Sequence, residues 1–324
     1  MTSQTKVYKS LDIAKLLCAC LIIFIHTYCF EPWGILIKNI ICPLAVPFFF
    51  ITSGFFLEKG MQNNDKKEYT KHYFRRIFAL YSIWTLLTLP ISWMTISRGH
   101  PDYSVALRII YLIREFLFSG SLGIYWFLLC ILYGCVIIYW LDKRHVLKWG
   151  MLVALALFVW GIILNCGIGW DTLPGRMIHV IFGSTRNPFN EGIFYMLIGL
   201  GISRTGFRLS PYISGIGMIL SIIIAYILFM HTRIQIMQLF IALFFFLLVL
   251  DIDMSSIISD KASLTARRLS TALYLIQFPF ILVFDFYLQR STLVDYSATL
   301  AFCLVTYTLC SLLLPKKVNK LLYG

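Results

Sequence analysis

The sequence predicts an all-α, polytopic transmembrane bundle of about ten spans with both termini in the cytoplasm. Three observations predict it. The first is composition: of 324 residues, 59% are hydrophobic and only 13% charged, with a mean hydropathy of +0.80, far from the roughly 25% charged residues of soluble domains. The second is block length. Apolar residues run in stretches of roughly 15 to 24, and a helix needs about 20 to cross the hydrocarbon core. A barrel strand would alternate apolar and polar residues over about 10 positions, whereas residues 239–250 are apolar on every face. The third is the placement of basic residues, which cluster at the ends of the apolar blocks.

In chain order the predicted spans are 11–30, 34–57, 77–97, 122–140, 151–168, 189–202, 212–230, 235–250, 270–288 and 297–314. The first has a basic flank like a signal peptide but runs on to Phe30 without a small-residue cleavage site, so it is kept as a span. The sixth is short, and its pattern implies either a start near Met177 or a break around Asn187-Pro188. Residues 107–118 read as an interfacial or re-entrant helix. No repeat, linker or low-complexity run divides the chain, which predicts one membrane domain over residues 1–324.

Orientation follows from alternate loops. Lys6, Lys9, Lys59, Lys66, Lys67, Lys71, Arg75, Arg76, Lys143, Arg144, Lys148, Arg204, Arg208, Lys261, Arg267, Arg268, Lys316, Lys317 and Lys320 fall on one side. Arg98, Arg108, Arg114, Arg176, Arg186, Arg233 and Arg290 fall on the other, and Lys15 and Lys38 lie inside spans. The richer side is the cytoplasmic one. This asymmetry accounts for the net charge of +13 without a nucleic-acid partner; the bilayer is the partner. Nine cysteines are scattered singly, without the paired spacing of a zinc site or a disulfide framework. They read as small buried hydrophobes, and no metal is expected.

Ionisable residues inside spans are costly and mark candidate sites. The first span holds Asp12, Lys15 and His26. Lys15 and His26 are 11 residues apart, about three turns, so they share one stripe about 16 Å long. A donor held at the inner end and proton chemistry further out would suit that stripe. The competing readings are a snorkelling lysine and a core histidine bonded to a carbonyl.

Ser10-Leu11-Asp12-Ile13-Ala14-Lys15 followed by His26 resembles the opening helix of the acyltransferase family 3 membrane proteins, in which an Asp precedes an Arg by three residues and a His lies eleven beyond. Val46-Pro47-Phe48-Phe49-Phe50-Ile51-Thr52-Ser53-Gly54-Phe55 is similar to that family's second-helix segment, and Arg75-Arg76 to its basic pair entering the third helix. Ile124-Tyr125-Trp126-Phe127-Leu128 and Ala272-Leu273-Tyr274-Leu275-Ile276-Gln277 resemble its His-Leu-Trp-Phe/Tyr-Leu and Tyr-Leu-x-His helices. The chain departs from the pattern at Lys15, where Arg is usual, and at Tyr125 and Gln277, where His is common. Lys is a point charge rather than a planar fork, and Gln277 cannot transfer a proton near neutral pH.

The resemblance implies transfer of an acyl group, usually acetyl, from cytoplasmic acetyl-CoA to a hydroxyl of an extracytoplasmic or lipid-linked glycan at the cell membrane. Its donor phosphates would meet Lys15, Arg75, Arg76, Arg267 and Arg268, although the last four also follow from the positive-inside rule alone. His26 would be the general base, oriented by Glu31 or Glu191. Ser53, Tyr125, Trp126, Arg186, Asn187 and Gln277 would line the acceptor path. Small residues such as Ser53 and Gly54 also serve helix packing, Glu191 also suits a pair with Arg186, and Pro47 to Phe50 suit either an acyl-chain site or a packing wall. Asp285 and Lys38 read equally as boundary residues. The membrane half of the vancomycin-resistance serine racemases is similar too, which implies a competing role in moving a small solute such as L-serine. Oligomeric state is not legible in the sequence.

Overall fold

The computed structural model describes residues 8–27, 29, 31–231, 236–287 and 291–323. Lys6, Arg233 and Arg290 of the basic residues counted above, and the side chain of Asp285, lie outside the described residues. Every regular element among the described residues is helical. In chain order they are α1 (Lys9–His26), α2 (Pro32–Leu36), α3 (Ala45–Asn63), α4 (Lys66–Leu87), α5 (Leu89–Gly99), α6 (Val105–Arg114), α7 (Trp126–Lys143) and α8 (Leu147–Asn165). There follow α9 (Leu173–Phe182), α10 (Ile193–Thr205), α11 (Pro211–His231), α12 (Met237–Asp251), α13 (Asp260–Tyr287), α14 (Thr292–Leu313) and α15 (Lys316–Tyr323). π-turns at Ile37–Ile41, Glu115–Ser119 and Pro188–Gly192 and tight 3₁₀ turns at Cys42–Leu44 and Ser121–Gly123 join some of them.

Among the described residues, six helical segments are long and apolar enough to cross a membrane: Pro32–Asn63, Trp126–Lys143, Leu147–Asn165, Pro211–Phe229, Asp260–Phe284 and Thr292–Leu313. The pair Lys66–Leu87 and Leu89–Gly99 makes a seventh if counted as one span, bent by 59°. The bend has a covalent cause, since Pro90 has no N–H to continue the α4 ladder. Met237–Asp251 and Leu173–Phe182 are shorter apolar helices. The predicted spans 11–30 and 189–202 form as α1 and α10.

Several boundaries differ from expectation for identifiable reasons. The expected break near Asn187-Pro188 exists, and α9 is a separate helix that Gly183 closes in the left-handed region at φ 76°. α13 begins ten residues before the predicted 270, because its first turns carry Ser263, Arg267 and Arg268 on a helix that hydropathy alone underweights. α7 begins at Trp126, so Ile124 and Tyr125 belong to the turn before it rather than to the helix. The 107–118 segment is α6 followed by the Glu115–Ser119 π-turn, and α6 buries none of its ten residues.

The chain divides into two compact units, residues 1–52 with 207–324, and residues 53–206. In the first, α1 packs along α13, α13 along α14, and α11 along α12. Leu11, Cys18, Ala19 and Ile23 of α1 are fully enclosed there, and Phe48 meets Phe245 and Phe246 of α12 at ring-centroid distances of 5.1 and 6.1 Å. In the second, α4 packs on α7, while α7, α8 and α10 surround the Pro188–Gly192 turn. Gly54 of α3 admits the Met196 backbone so closely that a Cβ there would overlap it.

Candidate functional site

In the first unit the charged end of α1 is built around Asp12, which is fully buried. Its carboxylate accepts from Arg267 Nε at 3.0 Å and Arg267 Nη2 at 2.7 Å, and from Ser263 Oγ at 2.7 Å. Lys15 Nζ stands 3.5 Å from the same carboxylate, one helical turn along α1. Two cations therefore share one anion, leaving a local excess of positive charge, and Arg267 keeps about half its side-chain surface open. Lys9 secures the neighbouring turn, donating to the Ile258 carbonyl at 2.7 Å and pairing with Asp260 at 2.8 Å. Arg268 is exposed on the next position of α13.

His26 is the last residue of α1 and is half-buried. The helix ends after it because Thr27 turns extended, at φ −75° and ψ 144°. The Thr27 carbonyl accepts from Lys38 Nζ at 2.9 Å, and Thr27 Oγ1 donates back to the Ile23 carbonyl at 2.9 Å. Lys38, equivocal in the sequence, is thus the residue that ties the Ile37–Ile41 π-turn to the end of α1. Glu31 occupies the N-cap position of α2. Gln277 of α13 is fully buried, and its Nε2 donates to the Tyr274 carbonyl at 3.1 Å.

In the second unit, Asn187, Arg186 and Glu191 fall on one turn. The fully buried Asn187 side chain accepts from the backbone N–H of Phe189 and of Asn190, both at 2.9 Å, and donates to the Ser184 carbonyl at 3.0 Å and to Asn190 Oδ1 at 2.8 Å. Every polar atom of its amide is engaged in shaping the π-turn that presents Glu191. Thr185 donates to Asn165 Oδ1 at 2.7 Å, anchoring the same turn to the end of α8. Glu191 sits beside Cys130 and Tyr195, with Arg186 as the nearby cation. Arg186 itself is exposed and makes no ion pair among the described residues.

Tyr125, fully buried at the N-cap of α7, hydrogen-bonds Thr88 at the bend between α4 and α5. Trp126 opens α7 and is half-buried. Ser53 hydrogen-bonds Tyr73. Arg75 and Arg76 lie exposed in the third turn of α4, well inside that helix rather than at its entry, with Arg76 over the Tyr73 ring at 5.5 Å.

The sequence-predicted residues therefore fall into groups. Lys15 with Arg267 meets at Asp12, and Arg186, Asn187 and Glu191 share a turn. Tyr125 and Trp126 are consecutive. Within their own units, Arg268, Arg75, Arg76 and Ser53 join none of these groups.

Sequence reasoning missed a second ionic cluster. In the second unit Arg204 closes on Glu58 with two bonds of 2.7 Å and reaches Asp142 Oδ1 at 2.9 Å, while Lys66 meets Asp142 Oδ2 at 2.7 Å. The cluster ties α3, α4, α7 and α10 together. Its only sequence signal is two acids, Glu58 and Asp142, at the rims of otherwise basic loops.

Residues 8–314 match the family model described as an acyltransferase domain. Two amino-acid racemases of Enterococcus faecalis are similar to parts of the chain. One is 29% identical over 164 residues, which is 49% of this chain and 22% of that protein. The other is 21% identical over 212 residues, 62% of this chain and 29% of that protein. The chain thus covers less than a third of the length of either. No solved structure matches it.

Proposed function

Because the chain belongs to the acyltransferase-domain family whose model spans residues 8–314, we propose that it is a multi-pass O-acyltransferase of the cell membrane that takes an acetyl group from cytoplasmic acetyl-CoA. The acceptor is a hydroxyl of an extracytoplasmic or lipid-linked glycan. In this reading the bundle has about ten spans, counting α1, α10 and α12 with the longer helices, and both termini are cytoplasmic. One membrane domain carries the whole activity.

The observation that carries the reading is the layout of α1. Lys15 and Arg267, fixed by Asp12, gather positive charge at the inner end, and His26 closes the helix about 16 Å further out on the same stripe. Donor phosphates, held by Lys15, Arg267 and Arg268 with Arg75 and Arg76 as further partners, suit the inner end. At the outer end His26 takes the proton of the attacking hydroxyl as its oxygen bonds to the thioester carbonyl carbon. The C–S bond then breaks, and the proton passes from His26 to the departing thiolate. Glu31, at the start of α2 in the same unit, orients the imidazole. Tyr125, Trp126, Ser53, Arg186, Asn187 and Gln277 belong to the acceptor path, Asn187 by holding the turn that carries Glu191.

A second reading, movement of a small solute such as L-serine, is favoured by the two amino-acid racemase relatives. Membrane vesicles separate the two. Label from acetyl-CoA is followed into a glycan fraction while uptake of labelled L-serine is measured in parallel, with native protein and with His26→Ala. Transfer lost in His26→Ala supports the proposal; full transfer by that variant removes His26 as base. Serine uptake without acyl transfer overturns the enzyme reading.

A further inference from the structure

α1 and α13 run parallel in one register. Lys9 pairs with Asp260, and Asp12 is met by Ser263, each pair separated by 251 positions along the chain. The same offset carries His26 to Gln277. From Asp12 to His26 and from Ser263 to Gln277 each helix advances 14 residues, about 21 Å and close to four turns, so both rotate equally and the facing stripes still face. α13 is continuous to this point, and Pro279 comes only after it. The register therefore sets Gln277 level with the proposed base.

Gln277 is fully buried, yet only half of its amide is used. Nε2 donates to the Tyr274 carbonyl, while Oε1 is buried and receives no hydrogen bond among the described residues. The orientation is chemically fixed, because only the NH₂ side can bond a carbonyl. A buried acceptor left without a donor is unfavourable until one is supplied. The glutamine thus keeps one buried acceptor that an O–H or N–H could meet.

Resting on the acyl-transfer reading, we infer that Gln277 Oε1 accepts a hydrogen bond from a second hydroxyl of the acceptor, adjacent to the one being acylated. Proton bookkeeping selects the second hydroxyl. The attacking hydroxyl has a single proton, and that proton goes to His26, so Gln277 requires another donor. A neutral hydroxyl suits an uncharged amide in a buried site better than an ammonium, which would bring an unpaired charge. Gln277 is then a specificity residue that selects vicinal diols, the pattern of a sugar ring, over simple alcohols. It stands where the family pattern has a histidine, and as an amide it reads the acceptor without titrating.

The test uses the full chain in vesicles with labelled acetyl-CoA and two probe acceptors, methyl α-glucopyranoside, which has adjacent hydroxyls, and 1-octanol, which has one. Native protein is expected to prefer the glucoside. Gln277→Met, similar in shape but without the acceptor oxygen, is expected to raise KM for the glucoside about tenfold, a loss of about 1.4 kcal/mol, and to affect octanol transfer less, so that the preference for the glucoside falls. Gln277→Glu, which keeps an acceptor oxygen, is expected to recover part of the preference. Stabilisation of the detergent-solubilised protein by the glucoside, measured by thermal unfolding, needs no turnover and is expected in the native chain but not in Gln277→Met. An unchanged preference and equal glucoside stabilisation in Gln277→Met overturn the inference while leaving acyl transfer intact. Transfer to neither probe by native protein counts against the acyl-transfer reading, and the unfolding measurement still decides the role of Gln277.

Discussion

Arg267 grips Asp12 through both guanidinium edge nitrogens, at 3.0 and 2.7 Å, across 255 positions of sequence. A carboxylate this deeply buried is stable only with its partners in place, so the bond does double duty as a staple between α1 and α13. Asp12→Ala is expected to destabilise the solubilised protein by about 2–3 kcal/mol, and Lys15→Met, at a longer 3.5 Å, by less than about 1 kcal/mol. Unfolding in detergent, with an Asp12/Arg267 double-mutant cycle, checks both. Near-zero coupling between Asp12 and Arg267 would dismiss the staple.

The Glu58, Arg204 and Asp142 cluster makes a sharper test, because removing Arg204 leaves the buried Glu58 carboxylate without its guanidinium and Asp142 with Lys66 in its place. Glu58 and Asp142 are both buried, and Arg204 bridges them. Arg204→Ala is expected to cost about 3–5 kcal/mol, more than Glu58→Gln. Arg204→Lys is expected to recover little, since one ammonium cannot replace a fork that reaches three oxygens. Thermal unfolding of the three variants ranks them.

Gly54 illustrates a residue whose role is decided by space. A Cβ there would overlap the Met196 backbone, whereas one at Gly201 would meet nothing within 4 Å. Gly54→Ala is expected to destabilise by about 1–3 kcal/mol, while Gly201→Ala is neutral or slightly stabilising. Equal unfolding temperatures for the two variants would contradict the close packing of α3 on α10.

Glu115, on the π-turn after α6, gives the second unit a pH dependence. Burial raises its pKa from 4.5 to about 7, with Arg114 opposing. The folded chain therefore holds a proton that the unfolded chain releases, so stability is greatest below pH 4.5 and declines as pH rises through about 7. The decline is expected to be roughly 1–3 kcal/mol, and Glu115→Gln to remove most of it. Unfolding measured between pH 5 and 8 in both proteins gives the slope directly.

The helical class and the positions of the major apolar blocks were legible because hydropathy reports directly on lipid exposure. What it could not report was backbone irregularity inside those blocks. The turns at Ile37–Leu44 and the bend at Thr88 arise from Pro43 and Pro90 and from local hydrogen bonding, none of which changes the apolar count. Lys15 and His26 could be placed on one stripe from spacing alone. The pairing of Lys15 and Arg267 at Asp12 needed a contact across 255 positions, which neither the positive-inside count nor the resemblance supplies. Asn187 likewise read as a polar residue facing a path, because sequence does not show that all of its hydrogen-bonding capacity is consumed by its own turn.

Lys38 joins structure to the proposed chemistry most directly. Its ammonium donates to the Thr27 carbonyl at 2.9 Å, immediately after His26, where the chain leaves α1 and where the orphan carbonyls of a helix end need donors. Without that bond α1 still forms, since its burial against α13 is untouched, but the turn that follows His26 loses its tether. A misplacement of about 1 Å in a reacting group is enough to cost on the order of 100-fold in rate. Lys38→Met is therefore expected to lower acyl transfer by roughly 10- to 100-fold while shifting the unfolding temperature little, and Lys38→Arg, which restores a donor, to recover much of the rate. Vesicle assays of the two variants beside His26→Ala measure this. If Lys38→Met keeps the native rate, the tether has no part in placing His26; if it unfolds the protein, the bond belongs to the fold rather than to the site.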